Sequence, residues 1–226
     1  MIKIGIDGLS GSGKGALASA VAKHFNLKHL DTGAIFRGIG CGFIELGFTD
    51  LTDEIINTYL HTLKVEVKFE GDTQKIFLND EDITHLLRTE LGSQMASKVS
   101  VFPKVREKYL EIVRDFSNNY DCIIDGRDIT SVVLPDADVK IYLCADEEVR
   151  AERRYKENVA KNIPCTYEEV LANLQERDHR DTHRDVAPLI KVKDAIELDN
   201  TELNIEQTVA KGVDIITQIL KEKGKI

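Results

Sequence analysis

No apolar run in the sequence approaches the ~20 residues that a membrane-spanning helix requires, and a protein with no signal peptide ahead of its first strand-like segment is expected. The expectation is a cytoplasmic protein that makes no membrane contact. Cysteine is scarce: Cys41, Cys122, Cys144 and Cys165 are widely spaced and form no CxxC pair. That pattern predicts reduced, mostly buried thiols rather than a disulfide framework or a zinc site. An excess of basic residues is also lacking. The formal net charge is −9, which speaks against nucleic acid as a partner, since wrapping it needs a basic face. Internal repeats, low-complexity stretches, long linkers, a Ser-His-Asp set and a metal-ligand cluster are likewise not evident. What remains is an ordinary globular composition, 42% hydrophobic and 31% charged over 226 residues, long enough to bury a substantial core.

The informative segment lies at the start. Ile2, Ile4 and Ile6 form a short β-rich run that leads into Gly8-Leu9-Ser10-Gly11-Ser12-Gly13-Lys14-Gly15. Gly-x4-Gly-Lys is a phosphate-cradling loop, in which backbone N–H groups and one lysine surround the terminal phosphates of a nucleotide. Lys14–Phe25 follows with helical periodicity, placing Leu17, Ala20, Val21 and Phe25 on one face. A strand, the loop and a helix N-terminus together complete an anion site, so the segment predicts binding of a nucleoside triphosphate. The Ser or Thr that usually follows the lysine as a magnesium ligand is Gly15. The loop therefore cannot hold magnesium by that hydroxyl, no direct side-chain ligand is evident, and Asp125 is a candidate to organise waters on the ion. The Gly-Lys-Gly form is similar to that of small kinases of nucleoside monophosphates, and this resemblance implies a metal held mainly by phosphates and water.

Arginine is concentrated, whereas lysine is spread over the whole chain. Arg37, Arg106, Arg127, Arg150, Arg153, Arg154, Arg177, Arg180 and Arg184 fall in candidate site segments. A planar guanidinium grips phosphate through two parallel bonds, so such concentration in an acidic chain suggests local clamps for small anions.

Alternation of strands and helices predicts an α/β core with helices on both faces of a parallel sheet. Asp121–Ile124 and Val139–Leu143 read as central strands, Ala195–Leu198 as a last one, and Ile205–Leu220 as a terminal amphipathic helix. Leu63–Phe69 alternates strictly, Gly71-Asp72 turns and Lys75–Leu78 returns, a small antiparallel insert in the αβ pattern. Cys122-Ile-Ile-Asp125-Gly126-Arg127-Asp128 ends a strand in acids and an arginine, at the edge where open α/β sheets bind ligands.

Other segments leave alternatives open. Asp31–Arg37 reads as a helix start capped by Thr32, with Arg37 either solvated or on an anion; Ser97 and Arg106 are unremarkable in isolation. Arg177, Arg180 and Arg184 form a stripe at helical spacing, either an anion site or a solvated face. His179 and His183 have metal-ligand spacing with no third ligand in sight. Arg150, Arg153 and Arg154 sit on a helix capped by Asp146 that is either salt-bridged and exposed or a lid.

In order and spacing, Asp7-Gly8…Gly13-Lys14-Gly15, Asp31–Arg37, Phe102-Pro-Lys-Val-Arg106, Asp125–Asp128 and Arg177–Asp181…Arg184 make the chain resemble the bacterial cytidylate kinases of the long form, within the P-loop nucleoside monophosphate kinases. The resemblance implies an α/β P-loop NTPase three-layer fold with a central parallel sheet, a helical lid and a small antiparallel insert in the monophosphate-binding region. It implies one kinase domain over 1–226, with its core at 1–33, 109–147 and 165–226, the monophosphate-binding region at 34–108 and the lid at 148–164. The implied reaction moves the γ-phosphoryl group of ATP, with Mg2+, to CMP or dCMP in pyrimidine metabolism, in a monomer. A related small-molecule P-loop kinase, or a nucleotide-binding regulatory protein with little turnover, are the alternatives.

By the same resemblance, Gly8 to Ala16 and Lys14 take the donor, and Arg153 or Arg154 are lid arginines. Thr32, Arg37, Arg127 and Arg184 hold the monophosphate, Ser97, Arg106 and Asp128 read cytosine, and Arg177 and Asp181 contact ribose. Lys14, Arg127, Asp128, Arg153 and Arg184 form the implied catalytic set. Three positions depart from the family pattern. Ala16 stands where a Thr or Ser is usual, Phe36 where a Tyr is common, and Ile129-Thr130-Ser131 lacks a glycine, which bears on the path of that loop.

Overall fold

The structure is a computed structural model that describes residues 1–87 and 89–226; Arg88, inside the expected insert, lies outside the described residues. The elements in chain order begin with β1 (Lys3–Asp7), α1 (Lys14–Phe25), β2 (Lys28–Asp31), α2 (Thr32–Glu45) and α3 (Asp53–Tyr59). The strands β3 (Val65–Glu70), β4 (Thr73–Leu78) and β5 (Glu81–Asp82) precede α4 (Glu90–Val99) and α5 (Pro103–Asn119). Then come β6 (Cys122–Gly126), β7 (Val139–Cys144), α6 (Glu147–Ala160), α7 (Tyr167–His183), β8 (Ile196–Asp199) and α8 (Ile205–Glu222). Two compact units result, one of Met1–Leu27 with Asp121–Ile226 and one of Lys28–Tyr120.

In the first unit β1 pairs in parallel with β6 on one side and β7 on the other, and β7 pairs in parallel with β8. Parallel strands flanked by helices must be apolar on both faces, and Ile4, Ile6, Ile123, Ile141 and Leu143 are fully buried. α1 packs between this sheet and α8. Its buried apolar stripe is Leu17, Ala18, Val21 and Ala22, a face rotated from the expected one, with Ala18 and Ala22 buried and Ala20 half-buried. The cause is that the helix has two partners: a Cβ on Gly212 of α8 would lie 2.6 Å from Leu17. Because β1, β6 and β7 are parallel, the loops that follow them open at one edge, where Asp7 stands level with Gly126 and Tyr142.

The second unit holds the antiparallel sheet β3-β4-β5. The hairpin matches the alternation read from Leu63 to Phe69, the turn at Gly71-Asp72 and the return over Lys75–Leu78, whereas the two-residue β5 and the four-residue β2 carry too few residues to show a period. Helix α2 lies against this sheet and α4 through small residues: a Cβ on Gly38 would meet Ile76, one on Gly40 would meet Met95, and one on Gly42 would meet Leu63, each at 2.8 Å. Among the described residues no helix is long and apolar enough to cross a membrane. Cys41 and Cys122 are buried, Cys144 and Cys165 half-buried, and burial pushes the Cys122 thiol up to about 12.

Candidate active site

The loop after β1 takes its shape from glycine. Gly8 has φ 154°, and a Cβ there would stand 2.1 Å from the Leu143 carbonyl oxygen, so any side chain would drive β1 off β7. Gly13 caps α1 with φ 92°, in the left-handed region that costs glycine least. The first turn of α1 has no acidic residue and its last turn carries Lys23 and His24. Both choices suit the helix dipole and leave the N-terminus to an external anion.

Lys14 is buried, and its ammonium folds over the loop, donating to the Leu9 carbonyl at 2.8 Å and to Ser12 Oγ at 3.3 Å. Burial first, and then the positive charge of Arg127, bring Lys14 down to about 7, against the opposing pull of Asp125, Asp181 and Asp7. A lysine desolvated in this way gains most from an arriving phosphate, which supplies the missing counter-charge.

Arg127, just past β6, donates from Nε to Asp181 Oδ2 of α7 at 2.8 Å. Burial alone would raise the Asp181 carboxyl, but Arg127, Arg184 and Arg177 hold it below the usual range. Asp128 lies 3.8 Å from Arg184 Nη2, with both side chains buried. Arg184 is not the last member of a helical stripe. It is the residue at which α7 ends, with ψ 143°, and its Nε donates to the Ala187 carbonyl at 2.8 Å. The turn that follows α7 therefore directs Arg184 to Asp128, while Arg180 pairs with Glu176 on the helix surface. His179 and His183 stack on each other with centroids 4.1 Å apart. Among the described residues no group of three His, Cys, Asp or Glu could hold a metal ion.

The loop 129–131 has a definite path without the usual glycine. Asp7 Oδ1 accepts from Ile129 N at 2.8 Å, and Oδ2 accepts from Thr130 N at 2.7 Å and Thr130 Oγ1 at 2.6 Å. These bonds fix a wide turn over Ile129–Val133. Asp7 is fully buried, and desolvation carries its carboxyl up to about 6 despite those donors. Nothing in the sequence marks Asp7 as the anchor, because its partners are more than 120 residues away.

Arg153 on α6 donates to the Asn200 carbonyl at 2.7 Å and the Leu203 carbonyl at 3.0 Å. Asn200, buried beyond β8, donates to the Ser12 carbonyl at 2.9 Å and is a second contributor that sequence reasoning missed. Arg154 pairs with Glu157 at 3.1 Å. Asp146 begins α6 by position, but its side chain makes no capping bond; it belongs to the segment held by Thr201 Oγ1, which accepts from Asp146 N at 3.0 Å.

In the second unit the cap of α2 is Asp31, not Thr32: the Asp31 carboxylate accepts from Ala34 N at 3.2 Å and from Arg37 Nη2 at 2.6 Å. Arg37 is thereby held by a partner rather than solvated. Burial would raise Asp31, and Arg37 and His29 bring it below the usual range. Thr32 is buried as the first residue of α2. Arg106 is buried on α5, donates to the Ser100 carbonyl at 3.3 Å, and has its guanidinium 5.9 Å from the Phe36 ring and 5.7 Å from Tyr109, within cation–π reach. Ser97 is buried too, and its carbonyl accepts from Ser100 Oγ at 2.9 Å.

The sequence model of the cytidylate kinase family matches residues 4–218. A cytidylate kinase of Carboxydothermus hydrogenoformans is 40% identical over 215 residues, covering 95% of this chain and 97% of its own length. One of Fusobacterium nucleatum is 42% identical over 227 residues, covering 100% of this chain and 98% of its own. Among solved structures, an uncharacterized protein from Eubacterium ventriosum shares the fold with a TM-score of 0.53 at 14% identity, covering 97% of this chain and 98% of that one.

Proposed function

Since the chain belongs to the cytidylate kinase family, we propose that it transfers the γ-phosphoryl group of ATP to CMP or dCMP, giving ADP and (d)CDP. The observation that carries this reading is the buried Lys14, lowered to about 7 and lying over the phosphate loop in the field of Arg127, Asp125 and Asp181. That arrangement suits a polyphosphate, whose charge would offset what burial costs the ammonium.

The acceptor phosphate is largely dianionic near neutral pH, with a second pKa of about 6 as in phosphoester side chains. No strong general base is needed. The difficulty is electrostatic, since two polyanions must meet in line while charge shifts to the β–γ bridge oxygen. Lys14 and the loop amides from Leu9 to Gly15 other than that of Ser10 would stabilise that charge on the donor, and Ala16 lies on the first turn of the helix that points at it. Arg153 and Arg154 would act from the lid segment 148–164. On the acceptor, Arg127 and Arg184 with Thr32 and Arg37 would hold the phosphate, Ser97, Arg106 and Asp128 the cytosine edge, and Arg177 and Asp181 the ribose. Polar edge contacts discriminate strongly, because a wrong base leaves them unpaired. Asp181 keeps Arg127 oriented before substrate arrives, which lowers the ordering cost of binding.

The residues present fit magnesium brought in on the nucleotide. Asp125 is a buried carboxylate at the end of β6, and Gly15 offers no hydroxyl, so water between Asp125 and the ion is the arrangement they suit. When bound, the ion neutralises charge on the phosphates. A monomer acting in the cytoplasm, without nucleic acid, completes the reading.

The test is a coupled nucleoside-diphosphate assay with MgATP against CMP, dCMP, UMP, AMP and GMP. Turnover strongest with CMP and dCMP is expected. Preference for another monophosphate would overturn the cytosine pocket and point to a related small-molecule kinase. ATP binding without any turnover would favour a regulatory protein, with Ala16 the first position to revert.

A further inference from the structure

Arg150 and Asp178 have no part in the roles above, yet they grip the phosphate loop from outside. Ser10 lies within the loop, and both of its backbone groups are taken: its N–H donates to Asp178 Oδ1 at 3.1 Å, and its carbonyl accepts from Arg150 Nη1 at 2.9 Å. The same nitrogen pairs with Asp178 Oδ2, which closes a ring of three residues, and Arg150 Nε donates to the Ala145 carbonyl at 3.0 Å. The pair is well shielded, with side-chain exposures of 4% for Arg150 and 13% for Asp178. Gly11 continues the contact: a Cβ there would lie 3.4 Å from Arg150 Cβ and 3.7 Å from Leu174. Arg150 belongs to α6, Asp178 and Leu174 to α7, and the two helices share an apolar cluster of Ala151, Val170 and Leu174.

A carboxylate against an anion-binding loop is electrostatically adverse, because its charge opposes that of the incoming phosphates. Its presence beside Ser10 calls for another reason, and the geometry supplies one. Asp178 withholds one amide from the phosphate and thereby sets which remaining amides face it. Arg150 ties down the Ser10 carbonyl and cancels the carboxylate's charge. We propose that Arg150 and Asp178 are positioning residues for the donor nucleotide, fixing the path of the phosphate loop through Ser10 as a neutral pair. This rests on the reading of the loop as an ATP site.

The experiment compares the full-length chain with Arg150→Met, Arg150→Lys and the double variant Arg150→Met/Asp178→Asn. Calorimetry gives ATP affinity without turnover, and KM for CMP and melting temperature are measured alongside. Arg150→Met leaves the carboxylate uncompensated, so ATP affinity should fall about tenfold or more, the effect of losing a charge-assisted bond. The double variant should recover part of that loss although it carries one more change, and Arg150→Lys should recover part through charge alone. KM for CMP should stay within about twofold, since only donor-loop bonds are altered. A double variant weaker than Arg150→Met, equal losses for ATP and CMP, or a lowered melting temperature with ATP affinity unchanged would each overturn the proposal. If Arg150→Met does not fold, Arg150→Lys and the double variant are each compared with the parent: both should bind ATP more weakly with KM for CMP unchanged, and parental ATP affinity in both would overturn the proposal. A parent chain that binds ATP but phosphorylates no monophosphate would overturn the functional reading and leave this comparison intact.

Discussion

Asp181 holds Arg127 across 54 residues of chain, Oδ2 to Nε at 2.8 Å, with both side chains mostly buried. Removing one member of such a pair strands the other charge away from water. Asp181→Ala is expected to cost about 3 kcal/mol or more of stability, the usual result of breaking a buried pair, and to lower kcat/KM for CMP. Arg127, Arg184 and Arg177 outweigh burial and depress the Asp181 carboxyl. Its stabilising contribution is therefore complete above the ordinary aspartate value and is lost as pH falls below it. Chemical denaturation at pH 7 and at pH 3 checks this: the gap between parent and variant should narrow in acid.

Lys14 titrates near 7 in the unliganded protein instead of 10.5. The unfolded chain binds the extra proton between those values, so this group makes stability rise as pH increases through that window. A bound polyphosphate restores the charged form, and ATP binding at pH 8 should take up a substantial fraction of a proton, at most about one. Calorimetry in buffers of different ionisation enthalpy measures it, and Lys14→Met should abolish the uptake. The same variant should lower turnover roughly 100-fold, as loss of one electrostatic stabiliser does. Near-parental turnover would remove Lys14 from the mechanism.

Asp7 is raised from 3.8 to about 6 by burial. The folded state then holds the proton that the unfolded state releases, so this group makes stability fall as pH rises from about 4 to about 6. The carboxyl carbon resonance of Asp7 should titrate near 6. Asp7→Asn should remove that slope and, by turning an amide N–H toward the donors of Ile129 or Thr130, destabilise by about 1–3 kcal/mol.

Ala16 is exposed on the first turn of α1. Ala16→Thr should cost a few tenths of a kcal/mol in helix propensity and add a hydroxyl beside the donor phosphates. A neutral bond of about 1 kcal/mol would lower KM for ATP about fivefold. An unchanged or raised KM would show that the hydroxyl has no phosphate to reach.

Local chemistry made much of this protein legible without coordinates. Gly8 to Lys14 carries its own geometry, since glycine conformation, a following helix and one lysine are adjacent in the chain. Strict alternation from Leu63 to Phe69 and the turn at Gly71-Asp72 are equally local. Helical spacing misled at Arg184, because α7 ends there and a turn, not the helix face, aims the side chain. Thr32 yielded the cap to Asp31 because Arg37 also claims that carboxylate.

By itself, then, the sequence determined the anion loop and the order of strands and helices, which rest on neighbours within a few residues, and the family, which rests on short local motifs met in a set order along the chain. The tertiary structure alone decided which charges meet: Asp7 with Ile129 and Thr130, Ser10 with Asp178 and Arg150, Asn200 with Ser12, and Arg127 with Asp181. Those partners lie far apart in the chain. They come together because parallel strands open their loops at a single edge of the sheet, and no periodicity in the sequence encodes a distance of that kind.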